Sequence, residues 1–157
     1  MMSIILALGI AGSQLAATGQ RPDPCALVSM ADAAKAARSS ITRRITTRLG
    51  SGITCTYETG APGHSVLLTV YHTASRGAAA VTFKRDLQAN AGLFVLPPVT
   101  VAHLGDAAQA FGHVLWVRRR NVIFVINVID ASARGATLKR AQALAREAIA
   151  RIDASAR

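Results

Sequence analysis

His103 and Asp106 are the two residues whose types and spacing come closest to acid–base chemistry. They lie three positions apart with Gly105 between them, and a histidine paired with a carboxylate is a common general base in hydrolases. The other interpretation is that Gly105 forms a turn whose backbone is hydrogen-bonded by Asp106. We favour the turn, because the sequence contains no G-x-S-x-G nucleophile motif and no acidic pair typical of a glycosidase.

Arginine is the residue type in this chain that is best suited to hold a ligand. Arg118, Arg119 and Arg120 are consecutive, and a second basic group consists of Arg43, Arg44 and Arg48. A guanidinium group presents a planar fork of donors that fits phosphate and carboxylate groups. We predict that the three consecutive arginines lie exposed at a hairpin tip and, joined by Arg43 and Arg44, bind an anionic ligand. The alternative is an ordinary solvated basic surface.

The overall charge narrows the classes of partner. The chain has 18 Lys and Arg against 8 Asp and Glu, a net charge of +10, which favours association with anionic surfaces. No aromatic side chains interleave the arginines as they do in single-strand nucleic-acid sites, so we do not expect nucleic acid as a partner. The histidines have none of the spacings of a zinc site, and we predict neither a metal nor a cofactor. They are His64, His72, His103 and His113.

Cys25 and Cys55 are the two cysteines of the chain, thirty positions apart. This spacing does not match the C-x-x-C patterns of redox or zinc sites. In an exported protein, two cysteines most simply form one disulfide. Closing a loop of this length stabilises the fold by about 3.7 kcal/mol on the chain-entropy model. Two buried free thiols are the alternative.

The N-terminal segment indicates export. Residues 1–11 are apolar and are followed by small and polar residues, as in the hydrophobic region and cleavage site of a signal peptide, although no Lys or Arg precedes the apolar run. We predict a signal peptide over residues 1–20 and one secreted α+β domain over residues 21–157, with no transmembrane span in the mature chain. A cytosolic protein with an apolar N-terminus is the alternative.

Periodicity and turn residues give the order helix, hairpin, helix, strands, hairpin, helix. Ser29 and Asp32 form a capping box for the first helix, and Asn121 is expected to take a positive φ at the second hairpin tip. We predict helices over residues 29–39, 75–90 and 138–152, strands over 53–58, 64–72, 113–119 and 121–129, and a basic connector over 41–49.

The predicted fold class is α+β, an antiparallel sheet with helices packed on it. The nearly continuous apolar run over residues 122–129 predicts a central strand covered on both faces. The order of elements also suggests two duplicated hairpin-plus-helix units.

Three short motifs occur together: Pro24-Cys25, Cys55-Thr56-Tyr57 and Leu104-Gly105-Asp106-Ala107-Ala108. In this combination the chain, over roughly residues 23–152, resembles the small secreted and lipoprotein domains of unknown function found in actinobacteria and some other bacteria. The resemblance implies an envelope location and a paired disulfide, and it implies no catalytic residue. The chain departs from the lipoproteins in lacking a lipid-attachment cysteine, since Arg21-Pro22-Asp23 precedes Pro24 and Cys25.

We therefore predict a non-enzymatic protein, secreted or periplasmic, that binds an anionic ligand or another envelope component. The alternatives are a small hydrolase that uses His103 and Asp106, and a purely accessory structural domain. A cleft joining His103 and Asp106 to a hydroxyl group favours the hydrolase, whereas a continuous arginine surface without a cleft favours binding.

Overall fold

The computed structural model describes residues 23–94, 97–131 and 137–157. These residues form four helices and a seven-stranded antiparallel sheet. The helices are α1 (Pro24–Leu27), α2 (Met30–Ala37), α3 (Arg76–Ala91) and α4 (Thr137–Ala154). The strands are β1 (Ile41–Leu49), β2 (Gly52–Thr59), β3 (His64–His72), β4 (Val99–Thr100), β5 (Ala107–Phe111), β6 (Val114–Arg119) and β7 (Val122–Asp130). The predicted α+β class is thereby confirmed.

The strands follow the order β1-β2-β3-β7-β6-β5-β4 across the sheet. The apolar strand β7 lies in the middle, paired with β3 on one side and with β6 on the other. Its alternate side chains enter two different clusters, Phe124 and Ile126 on one face and Ile123 on the other. The prediction of a central strand covered on both faces is confirmed.

The two faces of the sheet carry different helices. Helices α1, α2 and α4 cover one face, which we call the three-helix face, and bury Tyr57, Leu68 and Phe124 there. Helix α3 covers part of the opposite face and packs Phe83 against the cluster that contains Trp116. None of the described helices is long and apolar enough to cross a membrane.

The N-terminal helices are fixed to the sheet by a covalent bond and by a hydrogen bond. Cys25 in α1 forms a disulfide with Cys55 in β2, with the two Cα atoms 5.3 Å apart, which confirms the predicted pairing. Two residues further along β2, the buried Tyr57 hydroxyl donates to the carbonyl oxygen of Val28. Burial raises the pKa of Tyr57 to about 12, so this hydroxyl keeps its proton over the ordinary pH range.

A buried ion pair joins α4 to the sheet and to α2. The Asp130 carboxylate, almost fully buried at the end of β7, lies 2.7 Å from Nη2 of Arg140. The other terminal nitrogen of Arg140 donates to the carbonyl oxygen of Ala36, also at 2.7 Å. The pair therefore connects three elements of the three-helix face and is structural in character.

The local predictions hold at the helix starts and fail at the sheet edges. Ser29 and Ser75 cap α2 and α3 as hydrogen-bond acceptors. The segment predicted as a basic connector over residues 41–49 is instead the edge strand β1, and the short strands β4 and β5 complete the other edge. At the β6–β7 turn the positive φ belongs to Arg120, at 55°, and not to Asn121.

The order of elements repeats, but the arrangement is not two-fold symmetric. Each antiparallel run of strands, β1-β2-β3 and β4-β5-β6-β7, is followed by one helix. β3 and β7 are antiparallel neighbours, so a two-fold axis that relates the two runs has to stand normal to the sheet between these strands. Such an axis would place α3 and α4 on the same face of the sheet. Helices α3 and α4 lie on opposite faces, so the repeat is one of connectivity alone.

Candidate functional site

Arg118, Arg119 and Arg120, which we call the hairpin arginines, lie at the turn between β6 and β7. Their side chains are 17%, 29% and 40% exposed. The prediction was that all three reach solvent at the tip, and the structure places them half-buried instead. The reason is that two acidic side chains lie against them.

Asp106 and Asp153 hold Arg119 and Arg120 by several hydrogen bonds. Arg118 forms a longer ion pair with Asp106, at 3.8 Å. Arg119 donates from Nε and Nη2 to the two oxygens of Asp153, at 2.9 and 2.6 Å, and from Nη1 to Asp106 at 3.0 Å. The Arg120 side chain contacts Asp153 at 3.2 Å, and its backbone N–H donates to Asp106 at 2.8 Å. Two-point arginine–carboxylate contacts are among the stronger polar interactions in proteins, so these guanidinium groups are already occupied.

The ionisation of these groups reflects the same contacts. Burial alone raises the pKa of Asp106, but the hydrogen bonds from the Arg120 N–H and the Arg119 side chain outweigh it and hold the pKa below its ordinary value. The hydrogen bond between Arg119 and Asp153 lowers the pKa of Asp153, and the same hydrogen bond raises the pKa of Arg119. All three groups therefore remain charged in the neutral range and compensate one another.

His103 and Asp106 do not form an acid–base pair in this structure. Both border a shallow groove that also includes Thr100, but among the described residues His103 makes no hydrogen bond to Asp106 or Thr100. His103 is exposed and has a φ of 56° in the turn before β5. Because both oxygens of Asp106 accept hydrogen bonds from Arg119 and Arg120, this carboxylate binds the β6–β7 turn rather than orienting a histidine.

Strand β1 carries a second group of arginines, which are exposed and have few ion pairs with described residues. Arg43, Arg44 and Arg48, which we call the edge-strand arginines, are all exposed. Arg43 lies 4.0 Å from Glu58, with 70% of the arginine side chain exposed, and pairs of this kind contribute little. Arg44 and Arg48 have no salt bridge to any residue that the structure describes. Their guanidinium groups are therefore available to a ligand.

The edge-strand arginines divide between the two faces of the sheet. Arg44 is opposite Tyr57 and Arg48 opposite Ile53 in the pairing of β1 with β2, and side chains directly opposite share a face. Arg44, Thr46 and Arg48 thus lie on the three-helix face, where the Thr46 hydroxyl contacts Sγ of Cys25 at 3.2 Å. Arg43 lies on the opposite face, with Glu58.

The structure does not bring the two arginine groups together. Strands β2, β3 and β7 separate β1 from β6, which at about 4.8 Å per strand places the groups on the order of 19 Å apart. Arg43 and Arg44 therefore do not join Arg118, Arg119 and Arg120 in a single surface. Carboxylates neutralise the arginine group near the centre of the sheet, whereas the arginine group at the edge is exposed to solvent.

Sequence reasoning missed Asp153, which neutralises the hairpin arginines. Asp153 lies 34 positions from Arg119, and no local pattern connects them. The edge-strand arginines had a visible signal, since no acidic residue occurs between Asp32 and Glu58. Five basic residues occur in that interval, namely Lys35, Arg38, Arg43, Arg44 and Arg48.

In the described part of the chain, no three His, Cys, Asp or Glu side chains lie close enough together to bind a metal ion. No protein-family model and no curated protein matches this chain. The arrangement of its own residues is therefore the basis for any functional conclusion.

Proposed function

We propose that this protein is a non-enzymatic, exported protein that binds an anionic component of the cell envelope through Arg43, Arg44 and Arg48. The proposal is based on the difference between the two arginine groups in their ion pairs with carboxylates. These three guanidinium groups lie on one nine-residue strand with a single distant carboxylate among them, whereas the hairpin arginines are held by Asp106 and Asp153.

The expected interaction is electrostatic and moderate in strength. Each basic side chain near an anionic surface contributes about 1 kcal/mol, so three exposed arginines give weak attachment that salt screens. No ion pair with a described residue has to break at Arg44 or Arg48 before they bind. The strand holds their backbone in place, which limits the conformational entropy lost on binding.

The disulfide and the secretion hypothesis support each other. Disulfides persist in oxidising compartments and are rare in the cytosol, and Cys25 and Cys55 are paired in this fold. Fractionation tests this part of the proposal: we expect the mature chain in the periplasm or medium with both cysteines protected from alkylation. A cytoplasmic chain with two reactive thiols contradicts it.

The binding test compares two triple variants of equal charge. Arg43→Gln, Arg44→Gln and Arg48→Gln together remove the edge-strand arginines. Lys84→Gln, Lys139→Gln and Arg146→Gln remove three exposed charges from the helices α3 and α4. Binding to an immobilised sulfated polysaccharide and to anionic and neutral vesicles is measured at about 50 and 300 mM salt, two conditions between which screening increases strongly.

We expect the wild type and the helix variant to bind the anionic probes at low salt, and the edge-strand variant to lose most of that binding. High salt weakens the interaction, and neutral vesicles do not bind. Equal losses in both triple variants indicate that net charge alone drives association, which contradicts the proposed surface. Absence of binding by the wild type at low salt contradicts the function itself.

A further inference from the structure

Strand β1 has no strand paired to its outer edge within the described part of the chain. β1 is the first strand of the sheet, and among the described residues it pairs only with β2, over eight of its nine positions. The opposite edge is β4, which has two residues. An exposed strand edge is a template for a further strand, and β1 is the long edge that this sheet offers.

The pairing register identifies which backbone groups face outward. Leu49 and Gly52 flank the two-residue turn of the β1–β2 hairpin and form its closing pair, which exchanges both hydrogen bonds. Along an antiparallel strand, residues alternate between bonding the neighbour and facing away from it. Counting back from Leu49, the N–H and C=O groups that face away from β2 belong to Arg48, Thr46 and Arg44.

The same three residues carry their side chains on one face, so the outward backbone groups and the unpaired guanidinium groups occur together. Arg44 and Arg48 flank Thr46 and are exposed. A strand added at this edge places its own alternate side chains directly beside these three, where opposite charges attract. The complementary segment is extended and has acidic residues four positions apart.

The charge of β1 also decides against a second copy of this chain as the added strand. Two β1 strands paired edge to edge bring Arg43, Arg44 and Arg48 of one copy beside those of the other, and like charges directly opposite one another destabilise a strand pair. Charged residues on an edge strand act in this way against self-association. The arginines of β1 therefore disfavour pairing with β1 of a second copy, and they favour pairing with an acidic strand.

We propose that β1 binds an acidic, extended polypeptide segment of a partner protein by adding it to the sheet as an eighth strand. The inference rests on the proposed function, because it uses the same arginines, and adds to it the class of partner and the mode of binding. Strand addition supplies affinity through backbone hydrogen bonds and specificity through alternate side chains. Here Arg44 and Arg48 supply the specificity.

The probe is a capped nine-residue peptide with Glu, Thr and Glu at alternate central positions and Val between them. Two N-methylated forms provide the matched comparison. One carries methyl groups on the backbone nitrogens of the Glu and Thr residues, which face β1 in the added strand, and the other carries them on the intervening Val residues. Both keep the charge of the parent, so they separate backbone pairing from electrostatic attraction.

We expect the parent peptide and the Val-methylated form to bind with similar affinity, and the form methylated at Glu and Thr to bind at least about tenfold more weakly, because several hydrogen bonds are lost. Amide hydrogen exchange gives a second signature. On peptide binding, the amides of Arg44, Thr46 and Arg48 become protected, whereas those of Ile45 and Thr47 change little because they already bond to β2.

Two protein variants complete the test. Thr46→Pro removes one outward N–H without changing the charge, and proline is tolerated where the N–H of an edge strand faces solvent. Arg44→Gln with Arg48→Gln removes the charge and keeps the backbone. Each variant is expected to weaken peptide binding by about tenfold, with a far-ultraviolet circular dichroism spectrum like that of the wild type.

The outcomes separate the inference from the proposed function. If peptide binding depends on Arg44 and Arg48 but both methylated peptides bind equally, strand addition is wrong and electrostatic binding at this surface stands. If the peptide does not bind while vesicles bind through the same arginines, the partner is a membrane and the inference is overturned. If neither the peptide nor the anionic probes require the edge-strand arginines, the proposed function fails as well.

Discussion

The two arginine groups of this protein consist of the same residue type and lie in one sheet or in the turn at its end, yet their surroundings differ. Around the hairpin arginines, Asp106 and Asp153 contribute hydrogen bonds at 2.6–3.2 Å. Around the edge-strand arginines the nearest carboxylate is 4.0 Å away and belongs to the half-buried Glu58. The difference arises from acidic residues that tertiary structure brings to one group and not to the other.

The comparison shows that a run of arginines is not by itself a binding surface. The sequence 118–120 has the higher local charge density, but Asp153 approaches it from α4 and closes the network. The edge strand is less conspicuous in the sequence and more available in the structure. Availability depends on the carboxylates within reach, and these are a property of the fold.

The largest difference between centre and edge is expected from placing a charge in the core. Ile126 is fully buried in β7, so Ile126→Asp inserts an unpaired carboxylate among apolar side chains and lowers the free energy of unfolding by more than about 3 kcal/mol, or prevents folding. Ile45 is half-buried in β1, and Ile45→Asp costs about 1 kcal/mol or less. Denaturant unfolding measures both, and a soluble Ile126→Asp variant with an unchanged midpoint contradicts the central position of β7.

A smaller difference is expected between single arginines of the two groups. Arg119→Gln removes three hydrogen bonds to Asp106 and Asp153 and lowers the free energy of unfolding by about 1–2 kcal/mol. Arg44→Gln breaks no ion pair with a described residue and changes the free energy of unfolding by less than about 0.5 kcal/mol. A double-mutant cycle of Arg119→Gln with Asp153→Asn isolates the pairwise contribution, and a coupling energy near zero contradicts the structural role of the network.

The smallest expected effect is on the pH dependence of stability. The pKa values of Asp106 and Asp153 are lowered in the folded state, so their contribution is present above the ordinary value of 3.8 and is lost as the pH falls through the lowered folded values. Between about pH 5 and pH 2.5, the Asp106→Asn, Asp153→Asn double variant therefore loses less unfolding free energy than the wild type.

The control for this pH experiment is the Arg44→Gln, Arg48→Gln variant, which leaves both aspartates and their partners in place. We expect its stability to fall with pH as steeply as that of the wild type. If the aspartate variant also follows the wild-type curve, the hydrogen bonds of Asp106 and Asp153 do not contribute measurably to acid sensitivity.

Elements with strong local signals were predictable from the sequence. The serine caps of α2 and α3, the apolar stripe of α4 and the alternation in β3 each specify an element within a few residues. The pairing of Cys25 with Cys55 followed from their number and is confirmed. In each case the information lies in neighbouring residues or in a choice between few alternatives.

The elements that were missed depend on distant parts of the chain. β1 has no continuous apolar face because most of its side chains are exposed to solvent, so its Thr and Arg residues indicate a connector. β5 contains three alanines, which have low strand propensity, and it is a strand because β6 pairs with it over five positions. The Asp153 contacts join residues 33 and 34 positions apart, beyond the reach of local patterns.

The antiparallel contact between β3 and β7 has a consequence for how fast the chain folds. All other neighbouring strands of the sheet are successive in the sequence and are joined by short connections. Strand pairs of this kind form as hairpins on the microsecond scale. Joining His72 to Val122 instead closes a loop of about fifty residues, at an entropic cost of roughly 3.5 kcal/mol. We therefore expect this step to limit the folding rate. The loop between Cys25 and Cys55 lies wholly before β3, so oxidation of the cysteines does not have to wait for it.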